Sequence, residues 1–592
     1  MKTYFKTKLY DLLKKDSRLW DEEKKELNET LLKDLIDKLD EKLIELLLSE
    51  KETKEKFFTK VKDVFVFKQN ELKFFIDENK LDNSYTQYQN KIGLRVGNKL
   101  LSERDEVVLD WPFKDCVLEG GMTKEDQKRN EIFFNEILAK DEIDRLFDLK
   151  ALVNWKRYTA KGEERIKELK RDKDGIIREN LIIKGNNLLA LHSLKKQFAG
   201  KVKLIYIDPP FNTGTDSFKY NDNFSRSTWL TFMKNRLETA KDLLTDDGNI
   251  FIHIDVNNSH YLKVLCDSVF KENNFVEELI WSYGSPSGGR AAGAKPVNVH
   301  DYILHYSKNY SNRKQNKVFI PYSDKYIKDW FKYKDDNGRQ FQKRMRGRDE
   351  KGNSTWEKQY LDESKGIPLS TVWSDIKQVY ADPRAYKENQ SEHTELEKLF
   401  TGGQKPEKLI QRIIEMATDE SDIVLDFHLG TGTTAVAAHK LKRQYIGIEQ
   451  MQYVKDFSIK RLISTINGDE KGISKSVNWQ GGGEFVYLEL AKWNEEAKEK
   501  ILKAKSLTEL EKLFDELYER YFLNYNVKTK EFKEKILKEE GFKKLSLDEQ
   551  KKLFIEMLDM NQLYVNFSER ADKKYNLSEI DIKLSEEFYL AK

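Results

Sequence analysis

From Leu181 to Asp255, short apolar runs alternate with amphipathic stretches. The runs 181–184, 202–207 and 250–254 read as strands. They are short, nearly continuous and bounded by turn residues, as suits a strand covered on both faces. The stretches 187–196 and 229–245 space their apolar residues for helices. The alternation resumes at Ile423-Val424-Leu425, passes through a helical run at Thr434-Ala435-Val436-Ala437-Ala438 and reaches the strand Tyr445-Ile446-Gly447-Ile448. Strands alternating with helices predict an α/β fold built on a parallel sheet. Between the two blocks, residues from about 284 to 400 follow no clear period and are rich in Tyr, Trp, Arg and Lys. Residues 22–48 set Leu27, Leu31, Leu35, Leu39, Leu43 and Leu47 four apart in a Lys/Glu background. This predicts one amphipathic helix that packs on its own domain or on a second copy. Residues 62–125 look strand-like, with Val64-Phe65-Val66-Phe67 and Val107-Val108-Leu109. After Gly481-Gly482-Gly483 and a short strand, Phe485-Val486-Tyr487, residues 491–592 return to charged helices.

A chain of 592 residues should divide into about three or four domains. All nine prolines lie between Pro112 and Pro406, so the irregular and α/β parts are separated from Pro-free, helical flanks. A net charge of +3 announces no global field for nucleic acid, so any DNA surface must be local. Cys116 and Cys266 are the only cysteines, which excludes a disulfide framework and a cysteine-rich zinc module. No Cys/His cluster offers a metal site, and His300 and His305, at the ends of an apolar strand, read as structural. The N-terminal stretch lacks an apolar signal core and no run approaches 20 apolar residues, so a cytoplasmic protein without membrane attachment is expected.

The candidate chemistry sits at two strand ends. Asp208-Pro209-Pro210-Phe211 follows the strand 202–207. Proline cannot continue a central strand, so the chain turns there and leaves an acid and an aromatic ring at the carboxyl edge of the sheet, where ligands bind in open α/β sheets. Asp426-Phe427-His428-Leu429-Gly430-Thr431-Gly432-Thr433-Thr434 follows the strand 423–425 and opens a helix. Its glycines let a ligand approach the backbone. Glu449 ends the next strand, where it could accept hydrogen bonds from ribose hydroxyls of an adenosine-bearing cofactor. The chain contains no Walker phosphate loop.

This pair of motifs resembles the amino-methyltransferases that use S-adenosylmethionine. In that family the acid-Pro-Pro-aromatic motif is catalytic and the glycine turn binds the cofactor. Here the catalytic motif comes first, and 426 − 208 = 218 residues separate the two. That order is similar to the β class of DNA amino-methyltransferases, whose long insert is the target-recognition domain. Asp208–Gly214, Asn298–Ser307, Asp426–Thr434, Tyr445–Gln450 and Asp110–Glu136 further resemble the modification subunit of type III restriction-modification systems, over about residues 40 to 490. The resemblance implies a Rossmann-like methyltransferase core in circularly permuted order. Its catalytic residues are Asp208, Pro209, Pro210 and Phe211. Its cofactor residues are Asp426, His428, Gly430, Thr431, Gly432, Thr433, Thr434 and Glu449, with Lys405 before the cofactor strand and Asn186 near the adenine. His428 stands where most relatives have phenylalanine, and Asn186 where many have aspartate.

The implied function is S-adenosylmethionine-dependent methylation of adenine N6 in duplex DNA. Cytosine C5 chemistry would need a nucleophilic cysteine, and neither cysteine fits. Asp208 and the carbonyl of Pro209 would orient the amine, Phe211 would stack on the base, and the base would have to be flipped out. Arg339, Lys343, Arg344, Arg346 and Arg348 form an acid-free basic run inside the insert, to track phosphates or read guanine; a solvated loop is the alternative. The implied partners are duplex DNA, a second copy and a separate ATP-dependent restriction subunit. The expected division is 1–150, a helical/α+β assembly region; 151–283, the catalytic half; 284–400, target recognition; 401–490, the cofactor half; and 491–592, a helical assembly region. An rRNA amino-methyltransferase, or a DNA-specificity scaffold with weak catalysis, remains as an alternative.

Overall fold

The computed structural model describes residues 2–21, 26–61, 64–78, 95–96, 99–100, 110–118, 133–137, 139–212, 224–284, 296–379, 404–523, 532, 537, 539–559 and 562–590. They belong to two compact units, 1–108 and 109–592.

In the smaller unit, the single helix expected over 22–48 is two helices, Glu29–Asp37 and Glu41–Leu48. Leu39 takes a left-handed φ of 53°, which ends the first. Asp40 accepts the amide of Leu43 at 3.0 Å and starts the second. The break shifts the buried stripe to Leu32, Ile36, Leu43 and Leu47 and leaves Leu39 50% exposed. The strand-like stretch from 62 resolves into a hairpin of Phe58–Val61 with Val64–Phe67, followed by the helix Gln69–Glu78. Val107, Val108 and Leu109 lie outside the described residues.

The larger unit is built on one eleven-stranded sheet. In chain order its strands are β1 (Leu152–Thr159), β2 (Gly162–Glu164), β3 (Leu181–Lys184), β4 (Val202–Ile207), β5 (Leu244–Ile254), β6 (Phe275–Ser282), β7 (His300–Ser307), β8 (Val372–Trp373), β9 (Ile423–Asp426), β10 (Gln444–Glu449) and β11 (Phe485–Leu490). In space they run β2-β1-β11-β3-β10-β9-β4-β5-β7-β6-β8. The six strands from β11 to β5 are parallel, and β7 is reversed between β5 and β6. The chain leaves the β9/β4 seam in opposite directions, β9 to β10 on one side and β4 to β5 on the other. This is the topological switch point of the sheet, where such folds bind ligands.

The near-continuous apolar runs exist because both faces are covered. Ile183, Ile205, Ile207, Leu425 and Ile448 pack in one cluster with residues of helices α1 (Asn187–Phe198) and α2 (Arg226–Leu243). Their neighbours Ile182, Leu204, Tyr206 and Val424 pack in another, with α3 (Glu407–Ala417) and α4 (Thr433–Lys440). The described residues of 110–118, 133–137 and 139–147, grouped by sequence with the N-terminal region, belong to the larger unit: Leu118 N–H donates to Asn235 Oδ1 at 3.0 Å on α2. The insert expected over 284–400 contributes β7 and β8 to the main sheet. Between these strands lie two smaller sheets: Phe319–Ile320 with Ile367–Pro368, and Tyr333–Lys334 with Gln340–Arg348 and Ser354–Tyr360. Among the described residues no helix is long and apolar enough to cross a membrane.

Candidate active site

Leu204 pairs with Val424 and Ile205 with Leu425, so β4 and β9 end side by side. This register brings together Asp208 and the glycine turn that begins at Asp426, 218 positions further on. They line one cleft, about 730 Å³ of empty space open on one side, with Tyr206, Pro209, Pro210, Phe211, Lys405, Ile410, Asp426, His428, Leu429, Gly430, Thr431, Thr433 and Thr434.

On the catalytic side, Asp208 Oδ2 accepts from Lys405 Nζ at 2.7 Å, while Oδ1 is buried with no partner among the described residues. The turn is tied down on three sides. Trp229 Nε1 donates to the Pro210 carbonyl at 2.9 Å, and Asn258 Nδ2 to the Phe211 carbonyl at 2.7 Å. Asn212, at a left-handed φ of 56°, bonds both backbone groups of Phe224. Behind Phe211 lies His253, its ring 5.9 Å away and 16° from parallel. His253 is held between the Tyr206 hydroxyl, 3.2 Å from Nδ1, and Asp301, 3.0 Å from Nε2. Burial pushes the Tyr206 phenol up, so its hydroxyl stays protonated. Nothing in the sequence pattern singles out Trp229, His253, Asn258 or Asp301.

On the other side, Asp426 Oδ1 accepts the His428 amide at 2.9 Å and Oδ2 the Thr434 hydroxyl at 2.6 Å. Burial outweighs these bonds and pushes the Asp426 carboxyl up to about 7. Gly430 and Gly432 have φ of 54° and 84°, a region costly for residues with a Cβ. A Cβ at Gly430 would meet nothing nearer than the His428 carbonyl at 3.9 Å, so only the backbone demands glycine. At Gly432 it would lie 3.1 Å from Ser458 Cβ. Arg461 binds the Thr431 carbonyl and both threonine hydroxyls, at 3.0–3.2 Å. The His428 ring is buried, with neither nitrogen bonded among the described residues, and burial lowers its pKa far enough to keep it neutral.

Several expected residues hold other positions. Asn186 does not line the cleft; its Oδ1 caps α1 through the amides of Leu188 and Leu189, and its own amide donates to the Tyr564 hydroxyl at 3.2 Å. Glu449 is 2% exposed, and its two oxygens accept the amides of Gly430 and Met451, each at 2.9 Å, so it braces the turn. In the basic run, Arg339 pairs with Asp362 at 2.8 Å and with Glu363, and Arg346 pairs with Glu357. The sequence run is acid-free, but the strand that folds back onto it is not. Lys343, Arg344 and Arg348 lie on the same exposed strand.

A family model described as DNA methylase matches residues 202–460, and one described as type III restriction/modification enzyme methylation subunit matches residues 40–94. Across 100% of its length the chain is 39% identical to a Haemophilus influenzae protein named "Probable type III restriction-modification enzyme HindVI Mod subunit", of which 99% is covered. The chain belongs to the methylation (Mod) subunits of type III restriction-modification enzymes. This Mod subunit is also similar to the EcoPI Mod subunit of Escherichia phage P1, with 30% identity over 45% of this chain and 56% of that one. Among solved structures it matches the M1.HpyAVI–SAM complex, with 20% identity, 48% of this chain and 99% of that one covered, and a TM-score of 0.28. The Mod subunit is an adenine-specific DNA methyltransferase with S-adenosylmethionine as methyl donor. The rRNA and scaffold alternatives are disfavoured by this membership.

The cleft fits that donor. Open space faces Gly430, the Ile410 and Leu429 side chains supply an apolar wall, and buried acids stand at the ends of β9 and β10.

Proposed function

We propose that the Mod subunit methylates adenine N6 in duplex DNA at the β4/β9 cleft, with Asp208 and the Pro209 carbonyl accepting the two amine hydrogens. The observation that carries this reading is the buried, unpartnered Oδ1 of Asp208 in the cleft, beside an Oδ2 fixed by Lys405. An exocyclic amine is a poor nucleophile because its lone pair is delocalised into the ring. Two acceptors set against its hydrogens orient it and favour a lone pair out of the ring plane. S-adenosylmethionine supplies the electrophilic methyl group. The chain's contribution is positioning and stabilisation of the positive charge that grows on the amine. Phe211, fixed through its carbonyl by Asn258, offers a face for the base. The base reaches this depth only by leaving the duplex stack. Gly430, Thr431, Gly432, Thr433 and Thr434 hold the cofactor in this reading, Asp426 and Glu449 fix the turn that does so, and Lys405 and His428 border both ligands.

The domain roles belong to the same reading: catalytic half before the insert, target recognition within it, cofactor half after it, and assembly at the two helical ends. A second copy and a separate restriction subunit are the partners proposed, supported by the designation of the relatives as Mod subunits of restriction-modification enzymes. The test is mass spectrometry of nucleosides from duplex DNA incubated with purified protein and cofactor. N6-methyladenine is expected. N4-methylcytosine, or label entering rRNA but not duplex DNA, overturns the reading.

A further inference from the structure

The hairpin of strands Gln340–Arg348 and Ser354–Tyr360 has two faces of different chemistry. On one, Arg344 stands opposite Glu357, which also pairs with Arg346. On the other, the directly opposed pairs are Phe341 with Tyr360, Lys343 with Lys358, Met345 with Trp356 and, past a bulge, Arg348 with Ser354. None of these eight residues is acidic. Met345 is 50% and Trp356 60% exposed, so an apolar pair stands in water beyond the last buried ring, Phe341.

Folding alone explains neither pair. Like charges directly opposite each other on a ribbon weaken it. Each lysine sits instead over a ring, Lys343 over Tyr333 and Lys358 over Phe341, both at 4.8 Å. An exposed Met–Trp pair stabilises little while it faces solvent. Both features suit a polyanion with apolar groups at its core. A second copy of this face is a poor occupant, because a two-fold axis would set lysine against lysine. Duplex DNA fits: its major groove admits a two-stranded ribbon, thymine methyls and base edges line its floor, and phosphates flank it.

We infer that this face of the hairpin enters the major groove of the substrate, with Met345 and Trp356 against base edges and Lys343 and Lys358 on the flanking phosphates. The inference rests on the functional reading above and moves base recognition from Arg344 and Arg346 of the basic run to the opposite face of the same ribbon. Apolar base contacts carry sequence information without releasing counterions, whereas lysine–phosphate contacts do the reverse.

The test uses the full chain with two double variants, Met345→Ala/Trp356→Ala and Lys343→Gln/Lys358→Gln, all exposed positions, and cofactor binding as the check on folding. The apolar variant should lose more than about tenfold in the ratio of kcat/KM on cognate over non-cognate duplex, while its affinity for non-cognate duplex changes less than about twofold. The lysine variant should weaken binding to every duplex and reduce the slope of log affinity against log salt by about 1.8. Unchanged discrimination and unchanged salt slope, with the unmodified chain methylating duplex DNA, overturn the hairpin assignment alone. An equal loss on all sequences in the apolar variant overturns base reading by Met345 and Trp356. An unmodified chain that binds cofactor but methylates no duplex overturns the functional reading, and this inference with it.

Discussion

Replacing Asp426 by asparagine should exchange stability at low pH for stability at high pH. The Asp426 carboxyl is buried and lifted from an ordinary 3.8 to about 7. Between those values the folded chain keeps a proton that the unfolded chain has released. Stability therefore falls as pH rises through that window and is flat above it. Each pH unit inside the window is worth about 1.4 kcal/mol, so about 3 kcal/mol should be lost between pH 5 and pH 7. Asparagine does not titrate and removes this slope. It has a constant cost, because its nitrogen carries a second N–H where the protonated carboxyl has a single O–H, beside the His428 amide and the Thr434 hydroxyl. That mismatch costs about 1–2 kcal/mol at every pH. The unmodified chain has lost that much by about pH 5, so the two stability curves should cross near pH 5, with the variant weaker at pH 4 and stronger at pH 7.5. Urea unfolding followed by tryptophan fluorescence at pH 4, 5 and 7.5 measures this on the transition of the larger unit. Parallel curves would refute the claim that burial keeps this carboxyl protonated.

Four further substitutions separate structural from ligand-facing roles. Gly432→Ala combines a left-handed backbone with a 3.1 Å approach to Ser458 and should cost about 2 kcal/mol, against about 1 kcal/mol for Gly430→Ala, whose Cβ has room. The order should reverse for cofactor affinity, since Gly430 lines the cleft; thermal unfolding and titration calorimetry read the two scales. Tyr564→Phe removes the hydroxyl that accepts the buried Asn186 amide and should destabilise the larger unit by about 1–3 kcal/mol in urea titration, tying the C-terminal region to the catalytic half. Trp229→Phe frees the Pro210 carbonyl and should lower kcat about tenfold while cofactor affinity holds, as single-turnover methylation and calorimetry would show.

The α/β core was legible because strands buried on both faces leave uninterrupted apolar runs, and the two motifs stand at the ends of such runs. Their adjacency followed from the sheet-edge rule, and the β4/β9 register meets it. Contacts between distant side chains left no pattern. Lys405 reaches Asp208 across 197 positions, and the His253–Asp301 pair behind Phe211 spans three strands with Tyr206. Asn186 is expected near the adenine from the family resemblance alone, and its role as the cap of α1 shows only in the folded chain. Leu39 kept the four-residue leucine spacing while breaking the helix, because Asp40 could start a new one. The acid-free basic run acquired acids from residues 11 to 24 positions further on, once the hairpin and its following turn folded back.

The central claim is that Asp208 acts on the amine rather than on the fold or the cofactor. Asp208→Ala in the purified chain, assayed for methyl transfer to cognate duplex alongside cofactor affinity, tests it most directly. The account predicts methylation reduced by at least about a hundredfold, with cofactor affinity within a few-fold of the unmodified chain. Full methylation by Asp208→Ala would contradict it.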